Sequence, residues 1–224
     1  MPNPTRHSPS TPELPRIRII SDGRFPSHDT NTQQIMKNAT AMARSGLDVE
    51  LCIPSRNRWN FVSVKTFRER LFAYYNVSGP LRIKRSHTIP FGRFRPERVI
   101  HGICTPITAM FRNIKIFYSR DPISTILAML LGRRVIFETY RCLGDDYPRA
   151  MRFFSRFARS RRFLRIITHS RHAADSITRA GFPVEKLAPI HNGFDPSDME
   201  PVLDKVPARK VCGLPLRKFL AVYT

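Results

Sequence analysis

Two short polar loops hold the side chains best suited to chemistry. Thr168-His169-Ser170 and His191-Asn192-Gly193 each follow a brief apolar run, and each supplies an imidazole, whose ordinary pKa suits proton transfer near neutral pH. His169 and His191 are therefore acid/base candidates, with Ser170, Asn192 and Gly193 beside them. A third polar stretch, Asp22-Gly23-Arg24, follows Ile-Arg-Ile-Ile-Ser and lies where Rossmann-like domains place their first ligand loop. Each of these residues also has a structural reading. A histidine at a strand end often only hydrogen-bonds its neighbours, Gly23 can serve a turn, and Asn192-Gly193 is a common tight-turn pair.

The elements that must position these loops recur along the chain. Ser170 caps a predicted helix over 171 to 180, Gly181 ends it, and the apolar run from Leu187 follows, which is one strand-helix-strand unit. Ile17 to Ser21 is the first strand. Thr30 with Gln33 reads as a capping box, and Ile35, Met36, Ala39, Met42 and Ala43 repeat at helical spacing up to Gly46. Val49 to Ile53 is the next strand, stopping at Pro54. Later, Lys115 to Tyr118 reads as a strand, Asp121 as a cap with Pro122 at the first helical position and Gly132 past the end, and Val135 to Phe137 as another strand. Repetition of this unit predicts an α/β, Rossmann-like parallel sheet with helices on both faces, whose carboxyl-end loops share one crevice.

Composition narrows the partners. The 224 residues hold 38 Lys and Arg against 17 Asp and Glu, a formal charge of +21. Such an excess calls for something anionic: nucleic acid, an acidic membrane surface, a phosphorylated substrate, or an acidic partner domain. Arg149 to Arg165 carries seven arginines, with Met151, Phe154 and Ala158 on one helical face. It reads as an amphipathic cover for the sheet or as a membrane contact, where each cation near an acidic leaflet contributes about 1 kcal/mol. Phe67, Leu71, Tyr74 and Tyr75 mark another helix, facing either the core or a membrane surface, and Ser86 to Pro96 reads as a basic loop.

Cys52, Cys104, Cys142 and Cys212 show no C-x-x-C spacing, so neither a metal nor a disulfide framework is expected; Cys52 reads as a buried apolar residue. One glycine in the first loop, in place of G-x-G-x-x-G, disfavours NAD and FAD. The most apolar run, Ile126 to Leu131, is too short to cross a bilayer. A cytoplasmic protein is expected, with peripheral attachment to the inner membrane face as the variant reading.

The order strand, Ser170, helix, Gly181-Phe182-Pro183, then Lys186-Leu187 through Ile190, Asn192, Gly193, Phe194 and Asp195 resembles the end of the N-terminal domain of family-4 glycosyltransferases of the GT-B fold. Ala43 to Leu51, with Gly46 and Val49, is similar to that family's second strand and its approach. The resemblance implies transfer of a sugar from a nucleotide diphosphate to a hydroxyl of a glycan or lipid acceptor, with retention. It implies no metal and no cofactor other than the nucleotide-sugar co-substrate, held mainly by a C-terminal domain. It places Arg120, at a Y-x-R strand end, and Glu138, at an E-x-H/Y strand end, in the cleft as catalytic candidates. Asp22, Gly23 and Arg24 become acceptor or phosphate contacts, and His169, Ser170, His191, Asn192 and Gly193 the cleft and hinge. Glu138 could equally just pair with a nearby arginine. The expected organisation is a proline-rich disordered leader at 1–15, the domain at 16–195, a linker at 196–218, and at 219–224 the first strand of a missing second domain. Such a chain is expected to be inactive alone. The alternatives are a basic nucleic-acid-binding module and a half-subunit whose partner chain carries the second domain.

Overall fold

In the computed structural model, which describes residues 15–55, 61–87 and 96–221, seven strands form one parallel sheet. They are β1 (Ile17–Ile20), β2 (Val49–Ser55), β3 (Arg82–His87), β4 (Ile116–Ser119), β5 (Arg134–Thr139), β6 (Phe163–Thr168) and β7 (Leu187–Pro189). Their order is β3-β2-β1-β4-β5-β6-β7. The chain therefore builds outward from β1 to β3, returns to the other side of β1, and builds outward again to β7. β1 and β4 are neighbours whose connections leave in opposite directions, and a parallel sheet opens a ligand crevice at that switch point.

Helices cover both faces because the strands are buried on both. α1 (Thr30–Arg44) and α2 (Val64–Tyr74) pack on one side, where Met36, Ala39, Leu51, Phe67 and Leu71 have no exposed surface. On the other side Phe117, Phe137, Phe154 and Phe163 form the second core with residues of α4 (Pro122–Leu130), α6 (Pro148–Ala158) and α7 (Arg171–Arg179). Alternation along β4 decides the sides: Ile116 and Tyr118 join the first core and Phe117 the second. The edge-to-face contacts of Phe154 with Phe137 at 5.2 Å and with Phe163 at 5.7 Å fasten α6 to the sheet. Both amphipathic helices turn their apolar faces to the sheet. Phe67 and Leu71 of α2 are committed to the core, and α6 buries Met151, Phe154 and Ala158 while Arg152, Arg156 and Arg159 stay exposed.

Local signals hold with two corrections. Ser170 accepts from the Ala173 N–H at 3.1 Å and starts α7, Asp121 accepts from Ser124 N–H at 2.8 Å and starts α4, and Gly46, Gly132 and Gly181 follow their helices at positive φ. The Thr30–Gln33 capping box is not formed. Thr30 is already helical and Asp29 takes the cap position, while Thr32 Oγ1 donates to the Asp29 carbonyl at 2.8 Å. β2 continues through Pro54 to Ser55, because Pro54 lies beyond the last residue paired with β1 and only β3 flanks it. Cys52 is fully buried, as expected.

The remaining helices are α3 (Pro96–Met110) and the single turn α5 (Leu143–Asp146). Met1–Asn192 and Gly193–Thr224 separate into two units. In the second, Asp195 caps a 3-10 turn at Pro196–Met199, and Arg209 of α8 (Lys205–Val211) donates to the Leu216 carbonyl of the loop that follows at 2.7 Å. Residues 219–221 join no strand, and 222–224 lie outside the described residues, as do residues 1–14 of the leader and 88–95 of the basic loop. No helix among the described residues is long and apolar enough to cross a membrane.

Candidate active site

A cavity of about 510 Å³ opens at the carboxyl end of the switch point. Asp22 reaches it from the loop after β1, Asn31 from the first turn of α1, Arg120 and Asp121 from the loop after β4, and Glu138 and Tyr140 from the end of β5. Parallel register brings Arg120 and Glu138 together, since Ser119 pairs with Phe137 and each is followed by one of them.

Glu138 is the centre of the arrangement and is 2% exposed. Its Oε1 accepts from Arg120 Nη2 at 2.5 Å and from His169 Nε2 at 2.6 Å. The Tyr118 hydroxyl also bonds it. Burial alone would push this carboxyl up, but the hydrogen bonds from His169 and Arg120 and the Arg120 charge outweigh it and hold the group at about 2. Burial, with the Glu138 charge added, drives the Tyr118 hydroxyl far above its ordinary range, so it stays a donor. Arg120 is held from its other side by Gln34 Oε1 at 3.1 Å and by Asn31 Oδ1.

This geometry orients one imidazole. Donation from Nε2 to an ionised carboxylate selects one tautomer of neutral His169 and leaves Nδ1 as the acceptor. A carboxylate so placed orients the ring and stabilises the imidazolium that forms when Nδ1 takes a proton. The Tyr140 ring lies 6.2 Å from the imidazole and is more than half exposed to the cleft.

The family model for Glycosyltransferase Family 4 matches residues 33–198, more than half of the chain. The chain belongs to glycosyltransferase family 4. No curated protein matches it in sequence. Among solved structures, the Anabaena Alr3699/HepE complex with UDP and glucose is similar at TM-score 0.55 and 16% identity, over 88% of this chain and 50% of that one. A glycosyltransferase from Rickettsia africae ESF-5 is similar at TM-score 0.57 and 12% identity, over 90% and 50%. UDP-N-acetylglucosamine 2-epimerase from Rickettsia bellii reaches TM-score 0.55 at 12% identity, over 90% and 52%. The family-4 chain thus spans about half the length of the structures it matches, and its sheet is the Rossmann-like N-terminal half of a GT-B fold.

Of the residues singled out in this family-4 sequence, Asp22, Arg120 and Glu138 line the cavity, and His169, outside that lining, bonds Glu138 from behind it. Gly23 adjoins Asp22, but its N–H donates to Ser21 Oγ at 3.2 Å, and an added Cβ would come within 2.8 Å of Thr32 Cγ2. Its lack of a side chain lets the loop lie against α1. Arg24 is exposed and outside the cavity lining, and Ser170 uses its hydroxyl as the α7 cap. His191 and Asn192 are exposed beyond the three-residue β7 and do not line the cavity; Gly193 belongs to the second unit. Sequence reasoning missed Asn31, Gln34 and Tyr118. Asn31 and Gln34 stand three apart near the start of α1, a spacing that places two amides on one face. Tyr118 is the tyrosine of the Y-x-R strand end and alternates to the same side as Arg120.

Proposed function

We propose that this chain is the acceptor-binding N-terminal domain of an enzyme that transfers a sugar from a nucleoside diphosphate to a hydroxyl. One observation carries the reading: a buried, ionised Glu138 orients His169 and Arg120 at the switch-point cleft of a family-4 domain. As the acceptor oxygen bonds the anomeric carbon and the bond to the diphosphate breaks, His169 takes the hydroxyl proton. Arg120 and Asp22 position the acceptor, and Tyr140 offers a face for a sugar ring. In this reading residues 16–195 form the domain, a second Rossmann-like domain holds most of the donor, and the 224-residue chain alone turns over no nucleotide sugar. The UDP and glucose in the HepE structure belong to that protein and support a nucleotide-sugar donor here. The exposed arginines of α6 support an acceptor at an anionic membrane surface, read as salt-sensitive co-sedimentation with anionic vesicles.

The test starts by reading the gene beyond codon 224 and expressing the whole frame beside the 224-residue chain. Nucleoside diphosphate release is assayed from a panel of UDP-, GDP- and ADP-sugars with glycan and lipid acceptors. The longer protein is expected to be active, the short chain inactive, and Glu138→Gln in the longer protein lower in kcat by roughly 10²-fold or more. Turnover by the short chain alone would overturn the division of labour, and undiminished kcat in Glu138→Gln would overturn the assigned site.

A further inference from the structure

We propose that Cys142, Asp145 and His172 form a binding site for a zinc-type divalent ion beside the cleft. Among the described residues this is the one group of three such side chains close enough to share an ion, with a thiol sulfur, a carboxylate oxygen and an imidazole nitrogen all within 4.8 Å of one another. In a tetrahedral zinc site, bonds of about 2.0–2.3 Å put neighbouring donors roughly 3.3–3.8 Å apart, so small rotamer changes close the gap. The expectation of no metal rested on the lack of C-x-x-C spacing and clustered histidines and on the family resemblance; the fold brings three such side chains together from two distant elements.

The frame under these ligands is tight. Gly144 is buried, and a Cβ on it would fall 1.9 Å from the Ser176 carbonyl oxygen, so the backbone of α5 lies directly on α7. The Asp145 N–H donates to Ser176 Oγ at 3.0 Å and fixes the register of the two elements. His172 lies four residues before Ser176 and Arg179 three after it, which puts all three on one face of α7. Arg179 orients the Asp145 carboxylate, donating from Nη2 to Oδ2 at 2.7 Å and from Nη2 and Nε to Oδ1 at 3.0 and 3.3 Å, which leaves Oδ2 a lone pair for a metal. Cys142 is half-buried and the other two ligands are exposed, so an ion has a path in.

The donor set selects the ion. Sulfur with imidazole favours zinc over calcium and magnesium, which demand six or more oxygens. On binding, the Cys142 thiol proton leaves to solvent, the Zn–S bond forms, and water takes the fourth position. Arg141 and Leu143, which flank Cys142, line the cleft, so the ion would clamp that wall.

The experiment titrates Co²⁺ into the full chain carrying Cys104→Ser and Cys212→Ser, which removes the two exposed thiols outside the cluster. One Co²⁺ per chain with a thiolate-to-cobalt charge-transfer band, displaced by Zn²⁺, is expected. Cys142→Ser should abolish the band, and Asp145→Ala and His172→Ala should each weaken binding at least tenfold with unchanged far-UV circular dichroism. Absence of the band, its survival in Cys142→Ser, or affinity indifferent to both Asp145→Ala and His172→Ala would overturn the site.

Discussion

Arg18 and Glu50 face each other across β1 and β2 with Arg18 Nη2 2.5 Å from Glu50 Oε1, and Arg120 and Glu138 meet at the same separation at the ends of β4 and β5. The two pairs have the same side chains and similar burial, but their surroundings differ. Arg18 has no exposed surface and donates from Nη1 to the Thr105 carbonyl of α3 at 3.0 Å, a backbone partner that cannot move. Arg120 is met by the side-chain amides of Asn31 and Gln34, and its glutamate, which lines the cavity, is shared with an imidazole. Chemistry of the pair therefore does not mark a site. Position along the strand does: mid-strand, the pair ties helix to sheet, and at the carboxyl end it meets a crevice.

The sharpest way to break that contrast is to remove each carboxylate. Glu50→Ala leaves Arg18 charged and enclosed, and a loss of about 3–5 kcal/mol is expected. Glu138→Ala leaves Arg120 with two amide partners beside an open cavity, and the expected loss is smaller, about 1.5–3 kcal/mol. Urea unfolding of both variants reads the difference. Equal losses would mean that the Glu138 pair also ties the fold together.

The same contrast shows what was legible in the sequence. Helix caps and stops are local chemistry, so Ser170, Asp121, Gly46, Gly132 and Gly181 could be read directly, and strand-helix repetition gave the parallel sheet. Pairing across the sheet is not local. Arg18 and Glu50 sit in strands that read as ordinary apolar runs, and nothing in their neighbours shows that β1 and β2 align them. Arg120 and Glu138 were picked out through a resemblance, while His169 was reached from its place at a strand end. Their shared contact needed the β4-β5-β6 order, and Asn31 and Gln34 needed the packing of α1 over the switch point. His191 shows the opposite case: the pattern that marked His169 marked it too, but β7 is an edge strand of three residues and His191 is exposed beyond it, whereas His169 is held by Glu138.

Acid sharpens the comparison by separating groups that resist protonation for different reasons. His101 of α3 is 1% exposed, and burial holds its imidazole down at about 4 against the opposing pull of the Asp22 charge. Between its ordinary value near 6.5 and about 4 the unfolded chain takes a proton that the folded chain refuses, so stability falls as pH falls through that window. Glu138, at about 2 when folded and near 4.5 otherwise, contributes stability that is whole above 4.5 and lost as pH falls toward 2. Each window is worth about 3 kcal/mol. His101→Gln should flatten the stability profile in the upper window and Glu138→Gln in the lower, with unfolding free energy measured from pH 7 to 3. A slope unchanged by either substitution would remove that group as its source.

The smallest effects come from the caps that present the two sides of the cleft. Asp121 receives Ser124 N–H and Ser124 Oγ, at 2.8 and 2.5 Å, and adds a negative charge at the start of α4. Ser170 receives one N–H, from Ala173, next to His169. Asp121→Ala should therefore cost about 2 kcal/mol and Ser170→Ala about 1 kcal/mol, both read by thermal or urea unfolding. Ser170→Gly should cost only a few tenths, because water then reaches the freed N–H groups. If Ser170→Ala instead cost as much as Asp121→Ala, the hydroxyl would be supporting the His169 loop as well as α7. The imidazole would then owe its place to that loop as much as to Glu138, and the strand-end rule drawn from the two pairs would extend to the residue after the strand.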